Sequence, residues 1–133
     1  GQALGGGELG AALREQIALA VAGENACGYC ASAHTLLGKN AGIAADELDR
    51  NLRGESSDPR SQAAIDFARA IVAKKGWVAD ADLAAIRSAG FGEGEIVEIL
   101  ATVTLNILTN YYNHVASTAI DFPEVKVNEP VGV

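Results

Sequence analysis

The two cysteines of this 133-residue chain, Cys27 and Cys30, stand three residues apart, and His34 follows four residues later. If this segment is helical, the three side chains share one helix face, and the imidazole of His34 can reach the thiol of Cys30. Cys27 would lie in the first turn, where free backbone N–H groups and the helix dipole favour a thiolate. Two thiols one turn apart can close a disulfide with little backbone movement. The spacing therefore predicts a redox-active dithiol with a base beside it.

Two other interpretations of the same residues stay open. The cysteines could be an inert, buried pair, because free cysteine packs well in apolar cores. They could also bind zinc together with His34, in which case His114 or Glu15 would have to supply the fourth ligand. A thioredoxin-like fold is excluded, because its motif follows a strand within a βαβ unit and this motif follows an apolar helix.

The elements that position these residues are predicted to be helices. Hydrophobic residues make up 49% of the chain and aromatic residues only 5%, and the apolar content is Ala, Leu, Ile and Val. No segment alternates apolar and polar residues as a half-buried strand does. We expect one all-α domain over residues 1–133, a helical bundle of about six helices with loose tails at 1–7 and 124–133. The predicted helices cover residues 8–22, 25–39, 44–52, 58–75, 80–89 and 92–120.

Several local signals support these helices. The second half of the first helix is apolar on every side, which predicts full burial, and Gly23 is expected to end it. Asn25 is expected to cap the helix that carries the cysteines, and Asp58-Pro59 to start the fourth helix. The last helix shows apolar residues at spacings of three and four, which form one stripe. The stripe contains Tyr111 and His114, so a core position is predicted for His114. The stripe consists of Ile96, Ile99, Leu100, Val103, Ile107, Tyr111 and His114.

Glu15 is a second candidate for chemistry. It lies where the first helix becomes wholly apolar, so its carboxylate is expected to be partly buried and to need a partner. The alternative is a surface glutamate paired with Arg14. On the third helix, Asp46, Glu47 and Asp49 are predicted to form a solvated face. Trp77 is expected to fill the core or an interface.

Charge and cysteine content limit the function classes. A net charge of −7 argues against nucleic-acid binding, which needs clustered Lys and Arg. No apolar run is long enough to span a bilayer, and residues 1–7 have neither the basic nor the apolar region of a signal peptide. Two cysteines three residues apart cannot staple a secreted scaffold. We therefore expect a cytoplasmic protein.

The segment from Glu15 to Gly42 resembles the AhpD-like alkylhydroperoxidase group of the carboxymuconolactone decarboxylase superfamily. The resemblance lies in a glutamate twelve residues before the first cysteine, followed by the sequence Cys-Gly-Tyr-Cys-Ala-Ser-Ala-His at residues 27–34. Residues 110–114 and the Asp-Phe-Pro sequence at 121–123 are also similar to this group. The resemblance implies a hydroperoxide reductase in which Cys30 attacks the peroxide and Cys27 resolves the sulfenic acid. It further implies that His34 and Glu15 form a proton relay that activates the thiol.

The peroxidase members of this group carry a histidine just before the second cysteine, where this chain has Tyr29. Because a phenol does not titrate near neutral pH, we expect proton delivery to differ here. Tyr29, Tyr111 and His114 are candidate site-lining residues. The lactone decarboxylases of the superfamily lack the paired cysteines, so an activity of that kind on a small organic acid is an alternative. A non-catalytic redox sensor or assembly protein is another.

The resemblance also bears on cofactors and partners. We expect no bound cofactor, because the sequence contains no flavin or nicotinamide motif, and no metal, because a zinc site would lack an obvious fourth ligand. An external dithiol must then reduce the disulfide, and in the family the electrons come from a lipoyl-type or other thiol donor. The apolar surface of the first and last helices predicts a homo-oligomer, and the resemblance implies a trimer or hexamer.

Overall fold

The computed structural model describes residues 2–128 and contains helices without any strand in that range. This confirms the predicted all-α class. Within the same range there are seven helices, where about six are predicted, because a four-residue helix occupies part of the expected N-terminal tail. The helices are α1 (Gln2–Gly5), α2 (Ala11–Glu24), α3 (Gly28–Asn40), α4 (Ala45–Leu52), α5 (Pro59–Ala73), α6 (Asp80–Ser88) and α7 (Glu93–Ala116).

Helix α2 is the central element of the bundle. It packs against α3, α4, α5 and α7, and all of its residues from 16 to 22 are buried. This confirms the predicted burial of its apolar half. Gly23 does not end the helix; it lies inside α2, and a side chain there would clash with the backbone carbonyl of Leu52 at the end of α4. This glycine therefore permits close packing of α4 against α2.

The main core lies between α2, α5, α6 and α7. Ile17 and Val21 of α2 meet Phe67 of α5, Ile86 of α6 and Ile99 of α7 there. Burying side chains of this size contributes about 1.5–3 kcal/mol each. A second, smaller apolar cluster surrounds the two cysteines and is separate from this core. The large core therefore holds the four helices in place, and the small cluster forms the environment of the dithiol.

Helix α5 begins as predicted, and α3 does not. The carboxylate of Asp58 accepts a hydrogen bond of 2.9 Å from the backbone N–H of Ser61, with Pro59 in the first helical turn. The expected cap of α3, Asn25, instead ends α2, and its side-chain amide donates to Asn110 of α7 at 3.0 Å. Ala26 then adopts a left-handed conformation with φ of 51°, so α3 starts three residues later than predicted.

The predicted buried stripe of α7 is only partly correct, since its member Leu100 is 47% exposed. Ile96, Ile99 and Val103 are buried, whereas Tyr111 is 54% exposed and His114 is exposed. The core position predicted for His114 is therefore wrong. In the second half of α7 the buried positions are Asn106 and Asn110, so a polar face packs there and Tyr111 and His114 lie outside it. The helix also ends at Ala116, because Ser117 adopts a left-handed conformation, four residues before the predicted end.

Two other predicted placements differ. Trp77 is 87% exposed, so it does not fill the core. Glu47, expected on a solvated face with Asp46 and Asp49, is largely buried at 13% side-chain exposure. Its carboxylate accepts hydrogen bonds from the hydroxyls of Ser56 and Ser57 at 2.5 and 2.6 Å. The loop after α4 folds back over Glu47 because the hydroxyl and backbone N–H groups of the loop donate hydrogen bonds to the Glu47 carboxylate.

The hydrogen bonds of Glu47 determine its ionisation. Burial raises the pKa of this carboxyl, but donation by the hydroxyls of Ser56 and Ser57, the Ser57 backbone N–H and the Asn51 amide lowers it to about 2. The amide of Gln16, on α2 next to Glu15, also donates to this carboxylate at 3.5 Å. Glu47 therefore connects α4 and its following loop to the buried helix that carries Glu15.

None of the helices in residues 2–128 is long and apolar enough to cross a membrane.

We predict that Glu47→Gln destabilises the fold by about 2 kcal/mol at pH 7. The pKa of Glu47 is lower in the folded chain than its ordinary value of 4.5. The carboxylate therefore stabilises the fold fully above pH 4.5, and this contribution is lost as the pH falls towards 2. In urea unfolding, the difference between wild type and variant should shrink from pH 4.5 to pH 2.5. Asp49→Asn, at an exposed position of the same helix, serves as the control, and a pH-independent difference for Glu47→Gln would contradict the interpretation.

Candidate active site

The dithiol lies at the start of α3. Cys27 is the N-cap residue of this helix, and its sulfur accepts a hydrogen bond of 3.3 Å from the backbone N–H of Cys30. The two sulfur atoms lie at disulfide-bonding distance, with the Cα atoms 5.3 Å apart. Cys27 thus precedes the first turn in which it was expected, but its sulfur accepts from one free N–H group of that turn, that of Cys30. This geometry allows the pair to cycle between dithiol and disulfide.

Both cysteines are enclosed. Cys27 is 1% exposed and Cys30 is 3% exposed, and Ala22 and Ala31 pack beside them. Thiols in such apolar surroundings are usually inert unless nearby groups stabilise the thiolate. The groups that surround Cys30 therefore decide whether it can react.

A segment of the chain after α7 covers the dithiol. We call residues 118–128 the C-terminal strap. Its Val125 and Val127 pack against the cysteine cluster, and the backbone N–H of Val125 donates to the hydroxyl of Ser32 at 2.8 Å. The ring of Phe122 meets that of Tyr29 edge to face, with the centroids 5.4 Å apart. The expected loose tail from residue 124 has no helix or strand up to residue 128, but it is packed; residues 129–133 lie outside the described range.

Glu15 and His34 form a direct pair across the α2–α3 interface. The carboxylate oxygen Oε2 of Glu15 lies 2.6 Å from Nδ1 of His34, and the side chains are 21% and 22% exposed. A neutral imidazole must donate from Nδ1 to a carboxylate, which leaves the lone pair of Nε2 free to accept a proton. Arg14 is not the partner of Glu15, since its guanidinium donates to the backbone carbonyls of Leu4 and Leu9 at 3.2 and 2.6 Å.

An open cavity of about 380 Å³ lies beside this pair. Apolar groups from Ala18 and Leu105 and polar groups from α7 form its walls together with Glu15 and His34. Neither cysteine lines it. The base is therefore accessible from one side of α3, whereas the dithiol faces the strap on another. The full lining comprises Leu4, Gly5, Arg14, Glu15, Ala18, His34, Thr102, Leu105, Asn106 and Thr109.

The sequence analysis did not identify Asn113 as a site residue. Its amide Nδ2 lies 3.5 Å from the sulfur of Cys30, so α7 also reaches the dithiol. Asn110, one turn earlier, is fully buried and accepts the hydrogen bond from Asn25 that anchors the α2–α3 loop. The asparagines at 106, 110 and 113 recur at helical spacing, a signal that could have indicated a polar face towards the cysteines.

The remaining predicted lining residues lie at the edge of the site. Tyr29 is half-buried and directed at Phe122 of the strap. Tyr111 and His114 stack on each other on the exposed face of α7, with ring centroids 6.4 Å apart. In the part of the chain that the structure describes, no group of three or more His, Cys, Asp or Glu side chains is placed to bind a metal ion.

Comparisons with known proteins agree with this architecture. The model of the carboxymuconolactone decarboxylase family matches residues 1–74, more than half of the chain. The fold is similar to that of an uncharacterized peroxidase-related protein from Silicibacter sp. TM1040, with a TM-score of 0.77 and 23% sequence identity, covering 91% of this chain and 63% of that one. Curated proteins gave no match.

A second similar structure is the alkylhydroperoxidase AhpD core of an uncharacterized peroxidase-related protein from Ralstonia eutropha JMP134. It has a TM-score of 0.76 and 27% sequence identity, and the similarity covers 82% of this chain and 59% of that one. The chain therefore spans about three-fifths of the length of both structures. The resemblance to the AhpD-like group, stated above from the cysteine motif, is confirmed.

We predict that Phe122→Ala accelerates reduction of the Cys27–Cys30 disulfide. Removing the ring deletes the contact with Tyr29 and loosens the strap over sulfurs that are almost fully buried. Burial of an aromatic ring contributes about 2–3 kcal/mol, enough to change strap opening about tenfold or more. The rate of thiol release by a water-soluble phosphine measures this effect.

Trp77→Ala, which removes an exposed aromatic ring outside the strap, is the matched control and should leave that rate unchanged. Equal rates for Phe122→Ala and wild type would show that the strap does not limit access to the disulfide.

Proposed function

We propose that this chain, which belongs to the carboxymuconolactone decarboxylase family, is a dithiol-dependent hydroperoxide reductase that cycles a Cys27–Cys30 disulfide. The observation that carries the proposal is the 2.6 Å contact between Glu15 and His34, one helical turn from a cysteine whose sulfur lies at disulfide distance from a second. Nucleophile, resolving thiol and oriented base are the parts that such a reaction requires.

The first step is thiol activation and peroxide reduction. His34, held by Glu15, takes the proton of Cys30 and leaves a thiolate. The thiolate sulfur attacks the terminal oxygen of the hydroperoxide, the O–O bond breaks, and the leaving alkoxide takes a proton from the His34 imidazolium to become an alcohol. The sulfur of Cys30 is thereby oxidised to sulfenic acid while the peroxide is reduced.

The second step restores the enzyme. The sulfur of Cys27 attacks the sulfenic sulfur of Cys30, its own proton leaves with the hydroxide as water, and the disulfide forms. An external dithiol, of the lipoyl type or another class, then reduces this disulfide by thiol–disulfide exchange and becomes a disulfide itself. This scheme needs no bound cofactor.

Tyr29 stands where related peroxidases carry a histidine, and its ring packs against the strap. We propose that it contributes to closure of the site over the dithiol and that proton transfer passes through His34 alone. On this proposal, protons and the substrate approach from the cavity beside Glu15 and His34, and the substrate then passes His34 to reach Cys30, which does not line the cavity.

The complete burial of both cysteines favours one alternative function. The strap packs directly on the cysteine cluster, so reduction of the disulfide would change that packing. The changed packing would then signal the redox state without catalytic turnover. A lactone-decarboxylase-like activity on a small organic acid is the other alternative, and the paired cysteines argue against it. Turnover with a hydroperoxide and a dithiol separates the proposal from both.

Assembly and location are also proposals. The second half of α7 presents large apolar side chains to solvent, among them Leu108 at 65% and Val115 at 88% exposure. Such a surface supports self-association. We propose that the chain forms a homo-oligomer, a trimer or hexamer, through this face. A cytoplasmic location would keep the dithiol supplied with thiol reductants.

We predict that reduced protein loses two thiols per chain when mixed with an organic hydroperoxide. Stopped-flow measurement of free thiols before and after mixing tests this, and added dithiol should then sustain turnover. Cys30→Ser should abolish the loss. Retention of both thiols in the folded wild-type protein would overturn the proposal in favour of a sensing, metal-binding or structural role.

We predict that His34→Ala lowers the rate of peroxide-dependent thiol loss by about 10²–10⁴-fold, the usual contribution of general base catalysis. Glu15→Gln keeps the side-chain shape but removes the charge that orients the imidazole, so we expect a smaller decrease of about tenfold to a hundredfold. Glu24→Gln changes a carboxylate on the same helix that pairs with Arg69 on the outside, and should leave the rate unchanged. A wild-type rate in His34→Ala would contradict the proposed relay.

A further inference from the structure

We infer that Asn113 is a further catalytic residue, one that donates a hydrogen bond from its side-chain amide to the sulfur of Cys30 and stabilises the thiolate. This inference rests on the proposed function, because it assigns Asn113 to the nucleophile of that reaction. It adds a contribution from α7 to a site otherwise built from α2 and α3.

The amide of Asn113 is oriented by two contacts from one nitrogen. Nδ2 lies 2.8 Å from the backbone carbonyl oxygen of Thr109 and 3.5 Å from the sulfur of Cys30. An amide NH2 group carries two protons, so one N–H satisfies the carbonyl and the other points to the sulfur. The opposite orientation would place the amide oxygen against the carbonyl oxygen of Thr109, where two acceptors repel each other. The contact with the helix backbone therefore determines which end of the amide faces Cys30.

The position of α7 relative to the cysteines is held independently. One turn before Asn113, the fully buried Asn110 accepts a hydrogen bond of 3.0 Å from Asn25, in the loop that leads into Cys27. This anchor joins α7 to the dithiol loop, so Asn113 does not depend on its own weak sulfur contact for placement. A preorganised donor of this kind needs no reorganisation when charge develops on the sulfur.

A neutral donor suits this environment. Cys30 is 3% exposed and is packed among apolar groups, surroundings that disfavour a thiolate. A cation there would itself need desolvation, whereas an amide N–H stabilises negative charge without adding a second buried ion. Asn113 thus supports the charged sulfur from α7, whereas the base lies on α3.

Other ionisable groups lie on the elements around Cys30. His34 follows it by one turn on α3, and Glu15 on α2 acts through His34. On α7, His114 neighbours Asn113 but is exposed. Tyr29 adjoins Cys30 in sequence, and the strap carries the exposed residues Asp121, Glu124 and Lys126. All of these groups remain in place when Asn113 is replaced. A shift in the ionisation midpoint of Cys30 therefore measures the effect of the Asn113 amide.

The test follows ionisation of Cys30 by thiolate absorbance in a Cys27→Ser background, where serine keeps a helix-capping oxygen at the start of α3. Asn113→Ala should raise the pH at which half of the thiol is ionised by about one unit, which is about tenfold less thiolate at a given pH below the midpoint. Asn113→Asp keeps the side-chain shape, replaces the donor by a negative charge and should raise the midpoint at least as far.

Thr104→Val is the matched control, because Thr104 makes a similar bond to a helix carbonyl on the exposed side of α7 and does not contact the sulfur. It should leave the midpoint unchanged. An unchanged midpoint in both folded Asn113 variants would overturn the inference. Alanine favours helix at this partly exposed position, and aspartate preserves its volume, so at least one folded variant is expected.

This titration uses no peroxide, so it separates the inference from the proposed function. A raised midpoint together with wild-type protein that does not react with hydroperoxide would keep Asn113 as a thiolate-stabilising residue and reject the peroxidase. An unchanged midpoint with normal peroxide reduction would reject Asn113 and keep the peroxidase.

Discussion

The hydrogen bond between Glu15 and His34 joins the buried helix of this bundle to the helix that carries the dithiol. Two polar side chains that are each about one-fifth exposed must satisfy one another, because an unpaired carboxylate at such a position is costly. Helix α2 cannot turn to offer a different partner, since its residues from 16 to 22 are all buried. The bond, together with the packing of Ala22 against Cys30 and Ala31, therefore sets which face of α3 meets α2.

Around this bond the site has two different sides. The base borders an open cavity, whereas both sulfur atoms lie beneath the strap with almost no exposure. On the proposed function, the peroxide enters from the cavity side, whereas a dithiol reductant must bring its own sulfur to the disulfide, and this requires the strap to move. The backbone bond between Val125 and Ser32 and the contact between Phe122 and Tyr29 are the interactions that such a movement would break.

The helical class, the buried half of α2 and the Asp58-Pro59 start of α5 follow from local patterns, since propensity, periodicity and capping act over a few residues. The spacing of Glu15, Cys27, Cys30 and His34 was likewise sufficient to indicate a site, and Glu15 and His34 are indeed in contact.

The failures involve contacts between distant segments. Asn25 does not cap α3, because it ends α2 and its side-chain amide donates to Asn110, 85 residues away. Glu47 is buried because a later loop folds over it, and His114 is exposed because the second half of α7 packs through Asn106 and Asn110 instead. Asn113 was missed because its helical spacing from Asn106 and Asn110 indicates a polar face of α7, but does not show that this face meets a cysteine 83 residues away.

The central claim is that Cys30 is the residue that attacks the peroxide, and trapping its product tests this most directly. Cys27→Ser protein, which cannot form the disulfide, would be treated with an organic hydroperoxide in the presence of dimedone, a reagent for sulfenic acids, and the modified peptide located by mass spectrometry. The account predicts one dimedone adduct per chain on Cys30, strongly reduced when His34 is also replaced by alanine. Folded protein in which Cys30 gains neither dimedone nor oxygen after peroxide treatment would contradict the account.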